Sequence, residues 1–118
     1  MKSFLTKSAA LSEKGQGFKF KVIKEGQIYP AFCIRAAGNL HAYLNVCPHM
    51  GLKLNRDSNH FFCRSNKNLF CYAHGAAFAP ASGKCLHGPC TGMSLISLKL
   101  FEQNEDVFLV DTEYARYL

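Results

Sequence analysis

The sequence predicts an all-β fold built from short antiparallel strands. Residues 18–23, FKFKVI, alternate apolar and polar side chains, as a half-buried strand does. Further runs are rich in aromatic and β-branched residues, and turn-forming residues separate them. A helical period is hard to find anywhere after residue 17. A chain of 118 residues is therefore expected to form one domain, 1–118, with a modest core.

Three hairpins account for most of the other predicted strands. Each joins two apolar runs through a short turn: 29–36 with 40–47, 60–65 with 68–72, and 94–101 with 106–112. The turns are AGN at 37–39, the polar SNKN at 65–68 and the turn-rich EQNE at 102–105. The last residues, EYARYL, are predicted to form a short helical or irregular tail.

Composition favours a folded protein of the cytoplasm. No stretch approaches the ~18–20 apolar residues of a membrane span, and the N-terminus lacks the run of about 7–15 apolar residues of a signal peptide. The formal charge is +6, with a local group of lysines at 14, 19, 21 and 24. Because these lysines lack the combined pattern of interleaved aromatic and arginine residues that base stacking requires, nucleic-acid binding is not indicated. A solvated face is favoured, and an acidic docking partner is the alternative.

The cysteine count needs an explanation. Six cysteines stand at positions 33, 47, 63, 71, 85 and 90. Without a secretion signal they indicate metal ligation or simple burial instead of a disulfide scaffold. Cys33 and Cys63 lie in apolar strand patterns and are predicted to pack as small hydrophobic residues. Cys85 and Cys90 flank LHGP; a disulfide across this loop is conceivable, but free thiols are favoured in a reducing compartment.

Two fragments pair a cysteine with a histidine, CPH at 47–49 and CYAHG at 71–75. The predicted strands bring both fragments to the same end of a small sheet. A cysteine nucleophile with its base does not explain two nearly duplicate pairs. Tetrahedral zinc with two cysteines and two histidines is chemically sound, although zinc fingers group like ligands together. A two-iron cluster suits the mixed grouping better, because each fragment can then supply one ligand to each iron.

The pattern Cys–x–His followed by Cys–x–x–His resembles the signature of the Rieske [2Fe-2S] family. The resemblance extends to the segment 51–54, Phe78, Gly83 and the Gly88-Pro89 loop, and it spans roughly residues 18–112. It implies a Rieske-type domain of short antiparallel sheets, with an inserted cluster-binding subdomain at about 45–92. It also implies one [2Fe-2S] cluster per chain. The implied ligands are Cys47 and Cys71 on the inner iron, and His49 and His74 on the outer iron.

The departures from the family pattern concern the surroundings of the cluster. Rieske proteins of respiratory and photosynthetic complexes carry an extra cysteine in each ligand loop, joined as a disulfide. Here those positions are Leu52 and Tyr72. The hydroxyl donors of the high-potential proteins are replaced by Ala76 and Phe78. Because hydrogen bonds to cluster sulfur raise the potential, their loss implies a potential near the low end of the range, about −150 mV.

The resemblance therefore implies a soluble carrier of single electrons that is not itself an enzyme. It would pass electrons from a reductase to an oxygenase or another acceptor protein, without nucleic acid or membrane, and a monomer is favoured. Two alternatives remain at this point. One is a small non-catalytic subunit of a larger reductase, such as a nitrite reductase. The other is a structural module with zinc in the same pocket.

Overall fold

The computed structural model describes residues 2–48, 53–54, 59–63, 68–71 and 75–118. Within these ranges the chain forms eleven strands and one short 3-10 turn at Ser8–Ala10, so the predicted all-β fold is confirmed. The strands are β1 Ser3–Lys7, β2 Phe18–Lys24, β3 Gln27–Ala36, β4 Asn39–Leu44, β5 Leu69–Phe70, β6 Ala77–Phe78, β7 Cys85–His87, β8 Ser97–Leu98, β9 Leu100–Gln103, β10 Asp106–Leu109 and β11 Ala115–Tyr117. No helix in the described part of the chain is long and apolar enough to cross a membrane.

The strands form three antiparallel sheets. The largest has the order β11-β2-β3-β4-β8, the second has the order β1-β10-β9, and the third, small sheet has the order β5-β6-β7. The long pairing of β2 with β3 and of β3 with β4 makes the large sheet the scaffold of the molecule. The small sheet lies within the segment 45–92, which contains both Cys–His fragments.

Three hairpins close through two-residue turns in which both central residues have positive φ. These turns are Glu25–Gly26, Ala37–Gly38 and Asn104–Glu105. Such turns match the twist of the flanking strands. The turn at Ala37–Gly38 confirms the predicted position and has an additional support. The carboxylate of Glu13 accepts hydrogen bonds from the backbone N–H groups of Ala37 and Gly38 at 2.6 and 2.8 Å. These bonds lower the pKa of the Glu13 carboxyl, and the bond from Gly38 has the largest effect.

The second predicted hairpin is partly visible. Backbone N–H of Cys63 donates to the carbonyl of Asn68, and that of Phe70 donates to the carbonyl of Phe61, both at 2.9 Å. The two arms are therefore paired as predicted, although the first arm forms only an isolated bridge between Phe62 and Leu69. Residues 64–67, which hold most of the predicted turn, lie outside the described residues.

The third predicted hairpin differs from the structure, because the strand at 94–101 is divided. Its first part, β8, pairs with β4 in the large sheet, whereas β9 pairs with β10 in another sheet. The chain changes sheets at Lys99, whose backbone N–H donates to the carboxylate of Asp111 at 3.0 Å. The carbonyl of Lys99 accepts from Val110 N–H at 2.9 Å. Both backbone groups of Lys99 thus find partners outside the large sheet.

The prediction of a helical or irregular C-terminal tail was wrong. Residues 115–117 form β11, which adds to the edge of β2 with Ala115 opposite Ile23. The cause is the preceding side chain, Tyr114, which is buried and packs edge-on against Tyr29 with ring centroids 5.7 Å apart. This anchor holds the tail beside the large sheet, where β2 offers an unpaired edge.

Two apolar cores fill the molecule. One lies among the larger sheets and contains Val22, Leu44 and Val107. The other joins β3 and β4 to the segment 45–92, and its centre is a stack of two fully buried rings. Phe32 of β3 and Phe61 lie nearly parallel, at 6°, with centroids 4.0 Å apart. The segment that holds the Cys–His fragments is therefore fastened to the scaffold by aromatic packing.

Phe61→Ala is expected to lower the free energy of unfolding by about 3–5 kcal/mol, because it removes a fully buried ring and leaves a cavity. Phe101→Ala is the matched control, since Phe101 is 45% exposed; it should cost less than about 1 kcal/mol. Chemical denaturation followed by circular dichroism measures both. Equal losses in the two variants would show that the stack does not fasten the segment.

Candidate metal centre

The first Cys–His fragment follows β4 directly. The backbone N–H of Asn45 donates to the carbonyl of Pro30 at 2.8 Å, so the chain stays beside β3 for one residue beyond the strand. The Asn45 side chain is buried, and its Oδ1 accepts a hydrogen bond from the backbone N–H of Leu54 at 2.8 Å. This bond joins the two ends of the loop that contains Cys47 and His49. The Cys47 side chain is fully buried, whereas residues 49–52 lie outside the described residues.

The second fragment follows β5 and is closed by two backbone hydrogen bonds. Cys71 N–H donates to the carbonyl of Ala76 at 2.8 Å, and Gly75 N–H donates to the carbonyl of Cys71 at 2.9 Å. Beyond the loop, β6 pairs back on β5, with Phe70 opposite Ala77. Cys71 is fully buried. Residues 72–74, including His74, lie outside the described residues.

A third loop, at 88–91, packs on the second fragment. Gly88 has φ +100°, and a Cβ at this position would lie 2.9 Å from Cα of Ala76, closer than real Cβ contacts come. The loop is closed by Thr91, whose side-chain hydroxyl donates to the carbonyl of Gly88 at 2.8 Å. Glycine is thus required here both by the backbone conformation and by the close approach. The loop that contains Gly88 and Pro89 thus contacts the chain at Ala76, just after the second fragment.

Four cysteines belong to the same apolar core. Cys47 and Cys71 are fully buried in it, and Cys85 and Cys90 pack with them. The Cys85 thiol donates to the carbonyl of His87 at 3.3 Å. Burial, followed by the neighbouring Cys85 thiol, raises the pKa of Cys90 to about 12. None of the six cysteines forms a disulfide, and a buried thiol of raised pKa is chemically inert.

Cys33 packs in the core among the larger sheets, as predicted. It is fully buried in β3, and this burial raises its pKa to about 12. Cys63 is only half-buried, so the prediction of a small hydrophobic residue describes it less well. Neither residue belongs to the apolar core that contains Cys47 and Cys71. Cys33 and Cys63 are therefore not members of the core that contains the candidate ligands Cys47 and Cys71.

Of the four predicted ligands, the structure places the two cysteines. Cys47 and Cys71 are separated in sequence but share one core. His49 and His74 lie outside the described residues, and within the described ranges no three His, Cys, Asp or Glu side chains form a metal-binding group. Soft thiolate sulfur suits iron–sulfur chemistry. Two buried sulfurs in one core also favour a metal, because a metal ion offsets the charge of a buried thiolate. The residues present therefore fit an iron–sulfur cluster.

The sequence did not predict the roles of two residues in this region, Asn45 and Cys90. Asn45 closes the first ligand loop, and its sequence signal is a polar residue inside the apolar run YLNVC, two positions before Cys47. Cys90 is near enough to Cys47 that a charge on Cys47 affects its pKa. No local sequence pattern indicates this proximity, because Cys47 and Cys90 are far apart in the sequence.

Comparison with known proteins gives a consistent result. The Rieske [2Fe-2S] domain matches residues 3–102. No curated protein matches the sequence. Among solved structures, the ferredoxin of carbazole 1,9a-dioxygenase from Nocardioides aromaticivorans IC177 superposes with a TM-score of 0.71 at 14% identity. That match covers 95% of this chain and 99% of the ferredoxin.

Two further solved structures share the fold. The terminal oxygenase of carbazole 1,9a-dioxygenase from Novosphingobium sp. KA1 matches with a TM-score of 0.72 at 21% identity, over 99% of this chain but only 31% of the oxygenase. A chain of the complex of reduced oxygenase and oxidized ferredoxin in carbazole 1,9a-dioxygenase matches with a TM-score of 0.70 at 18% identity, over 99% of this chain and 96% of that chain. At these identities the likeness concerns the fold alone.

Gly88→Ala is expected to displace the second ligand loop, because the added methyl group meets the backbone of Ala76. Gly92→Ala is the matched control: Gly92 also has positive φ, but nothing lies within 4 Å of its added Cβ. Both variants carry the cost of positive φ, about 1–2 kcal/mol, and Gly88→Ala should lose about 1–3 kcal/mol more through overpacking. Denaturation gives the difference, and hydrogen exchange at the Cys71 and Gly75 amides reports the displacement. Equal stability and exchange in the two variants would contradict the close approach.

Proposed function

The chain belongs to the Rieske [2Fe-2S] family, and we propose that it is a soluble one-electron carrier between redox proteins. When bound, a Rieske-type cluster accepts and releases a single electron. The observation that carries the proposal is the family match over residues 3–102, together with the joint burial of Cys47 and Cys71 at the ends of two strands. Cys47 and Cys71 would hold the cluster. No catalytic role is proposed for the chain.

The proposed ligands divide between the two irons. Cys47 and Cys71 would bind the inner iron, since both are buried in the same core. His49 and His74 would bind the outer iron. Neutral imidazole in place of anionic thiolate leaves less negative charge on the site, so reduction is easier than in an all-cysteine ferredoxin. The Asn45–Leu54 hydrogen bond would keep the first ligand loop in place in both redox states.

The proposed potential lies at the low end of the Rieske range, near −150 mV. Ala76 and Phe78 follow the second fragment, are buried in the core with Cys47 and Cys71, and have no hydroxyl to donate to a sulfur. A cluster without such hydrogen bonds is harder to reduce, because the negative charge of its reduced form is less stabilised.

The proposed partners are a reductase that supplies the electron and an oxygenase or other acceptor that receives it. This part is supported by the similarity to the ferredoxin of carbazole 1,9a-dioxygenase, which the chain covers almost entirely. By contrast, the chain spans about a third of the terminal oxygenase that it resembles. We propose a cytoplasmic location, because cysteines without disulfides suit a reducing compartment. We also propose that the carrier is a monomer.

Anaerobic purification tests the proposal. The protein should contain about two irons and two labile sulfides per chain, be reddish-brown, and show a rhombic paramagnetic signal only after reduction. Redox titration of that signal gives the potential. Colourless protein with one zinc and no sulfide per chain would overturn the proposal and would establish the structural zinc module instead.

His74→Cys tests the ligand assignment. An additional anionic ligand on the outer iron should lower the potential strongly or abolish the cluster. His87→Cys is the matched control, because the same substitution falls on an exposed histidine of β7; its potential should stay near that of the unmodified protein. A His74→Cys protein with an unchanged cluster and potential would exclude His74 as a ligand.

Phe78→Tyr should raise the potential, because a phenolic hydroxyl can donate to cluster sulfur from the buried site of Phe78. Phe78→Leu is its control, since it changes the ring without adding a donor. The titrated potentials of the three proteins are compared. If the tyrosine and leucine variants shift alike, the hydroxyl does not reach a sulfur, and packing alone explains the change.

A further inference from the structure

A pocket with lysines at its rim adjoins the first ligand loop. Its volume is about 170 Å³, below the ~300 Å³ of most small-molecule sites. Resting on the function proposed above, we propose that this basic pocket receives an aspartate or glutamate side chain of the redox partner. Its lining residues are Lys19, Phe20, Lys21, Pro30, Ala31, Asn45 and Lys53.

The pocket is built on the strand pairing that carries the cluster loop. In the register of β2 and β3, Phe20 faces Ala31 and Lys21 faces Pro30. The carbonyl of Pro30 accepts the hydrogen bond from Asn45. The side chain of Asn45 then binds Leu54 N–H, the residue that follows Lys53. One chain of hydrogen bonds therefore connects the pocket with both ends of the loop that holds Cys47.

The charged residues among the described lining of the pocket are all lysines. Lys21 and Lys53 are exposed, and the ammonium of Lys19 lies 5.8 Å from the centroid of the Phe61 ring. None of the described residues of the lining is acidic. Among the described residues, Lys7 pairs with Asp106, Lys24 with Glu113, and Arg35 with Glu102.

The structure also separates the lysines that the sequence grouped together. Lys24 pairs with Glu113, and Lys14 lies at the other end of β3, where its N–H donates to the carbonyl of Arg35. Only Lys19 and Lys21 of that group line the pocket. For Lys19 and Lys21 we therefore favour an acidic docking partner over a solvated face. Cationic groups around an apolar floor suit one carboxylate side chain, and such a field also steers an acidic protein toward its docking position.

The rate at which the reduced protein is oxidised reports this field. One electron passes from the reduced cluster to ferricyanide, an anion, or to tris(phenanthroline)cobalt(III), a cation, and stopped-flow absorbance follows each reaction. The double variant Lys21→Glu/Lys53→Glu is compared with Lys2→Glu/Lys14→Glu, which has the same net charge. The control lysines lie elsewhere, with Lys2 bound to Gln103 and Lys14 near the β3–β4 turn.

At an ionic strength of about 0.01 M, the pocket variant should react with ferricyanide at least about threefold more slowly than the control, because the anion is no longer attracted. Its reaction with the cobalt complex should be faster. At about 0.5 M salt the differences should nearly vanish. A short polyglutamate peptide should inhibit the ferricyanide reaction of the unmodified protein and of the control, but not that of the pocket variant. Lys21→Gln/Lys53→Gln should give about half the effect.

Each contrary result has a separate meaning. A coloured protein whose two double variants change rate equally overturns the docking proposal and leaves the carrier function intact. Inhibition by polyglutamate that persists in the pocket variant also overturns it, since the peptide then binds elsewhere. Protein without iron and sulfide overturns the proposed function, and the docking proposal falls with it. Circular dichroism establishes that all variants are folded.

Discussion

The burial of two cysteine sulfurs in one apolar core is the constraint on which the rest of the structure depends. Cys47 and Cys71 are both fully buried and come from loops after different strands. Their core also contains Phe32 and Tyr43 of the large sheet. A sulfur that must bind a metal as thiolate can stay in such surroundings only if the metal offsets its charge. If Cys47 and Cys71 are the ligands, core packing and metal binding stabilise the same part of the molecule.

The loops around these sulfurs are held by short-range backbone bonds and by one buried side chain. Asn45 closes the first loop, and the hydrogen bonds between Cys71, Gly75 and Ala76 close the second. Gly88 brings the third loop against the second. The described ends of each loop thus have their own closure. Closures of this kind would support the candidate ligands Cys47 and Cys71.

The sequence predicted those features that depend on neighbouring residues. The alternation at 18–23 identified β2, and the glycine at 38 identified the turn between β3 and β4. The division of the strand at Lys99 was not predictable, because its partner Asp111 is twelve residues away. The tail was misjudged for the same reason, since its position depends on the contact between Tyr114 and Tyr29. Local patterns indicate strands, whereas sheet membership depends on distant partners.

The candidate site likewise has features that the sequence predicts and features that only the structure shows. Spacing alone singled out Cys47 and Cys71, and the structure places both in one core; His49 and His74 stay predictions. The role of Asn45 needed the structure, because its hydrogen bond reaches nine residues along the chain. This bond also ties Lys53 to the ligand loop, so the basic pocket and the cluster loop share one support. Positive charge beside a cluster stabilises its reduced form. A carboxylate in the pocket would offset that charge, so docking itself would make release of the electron easier.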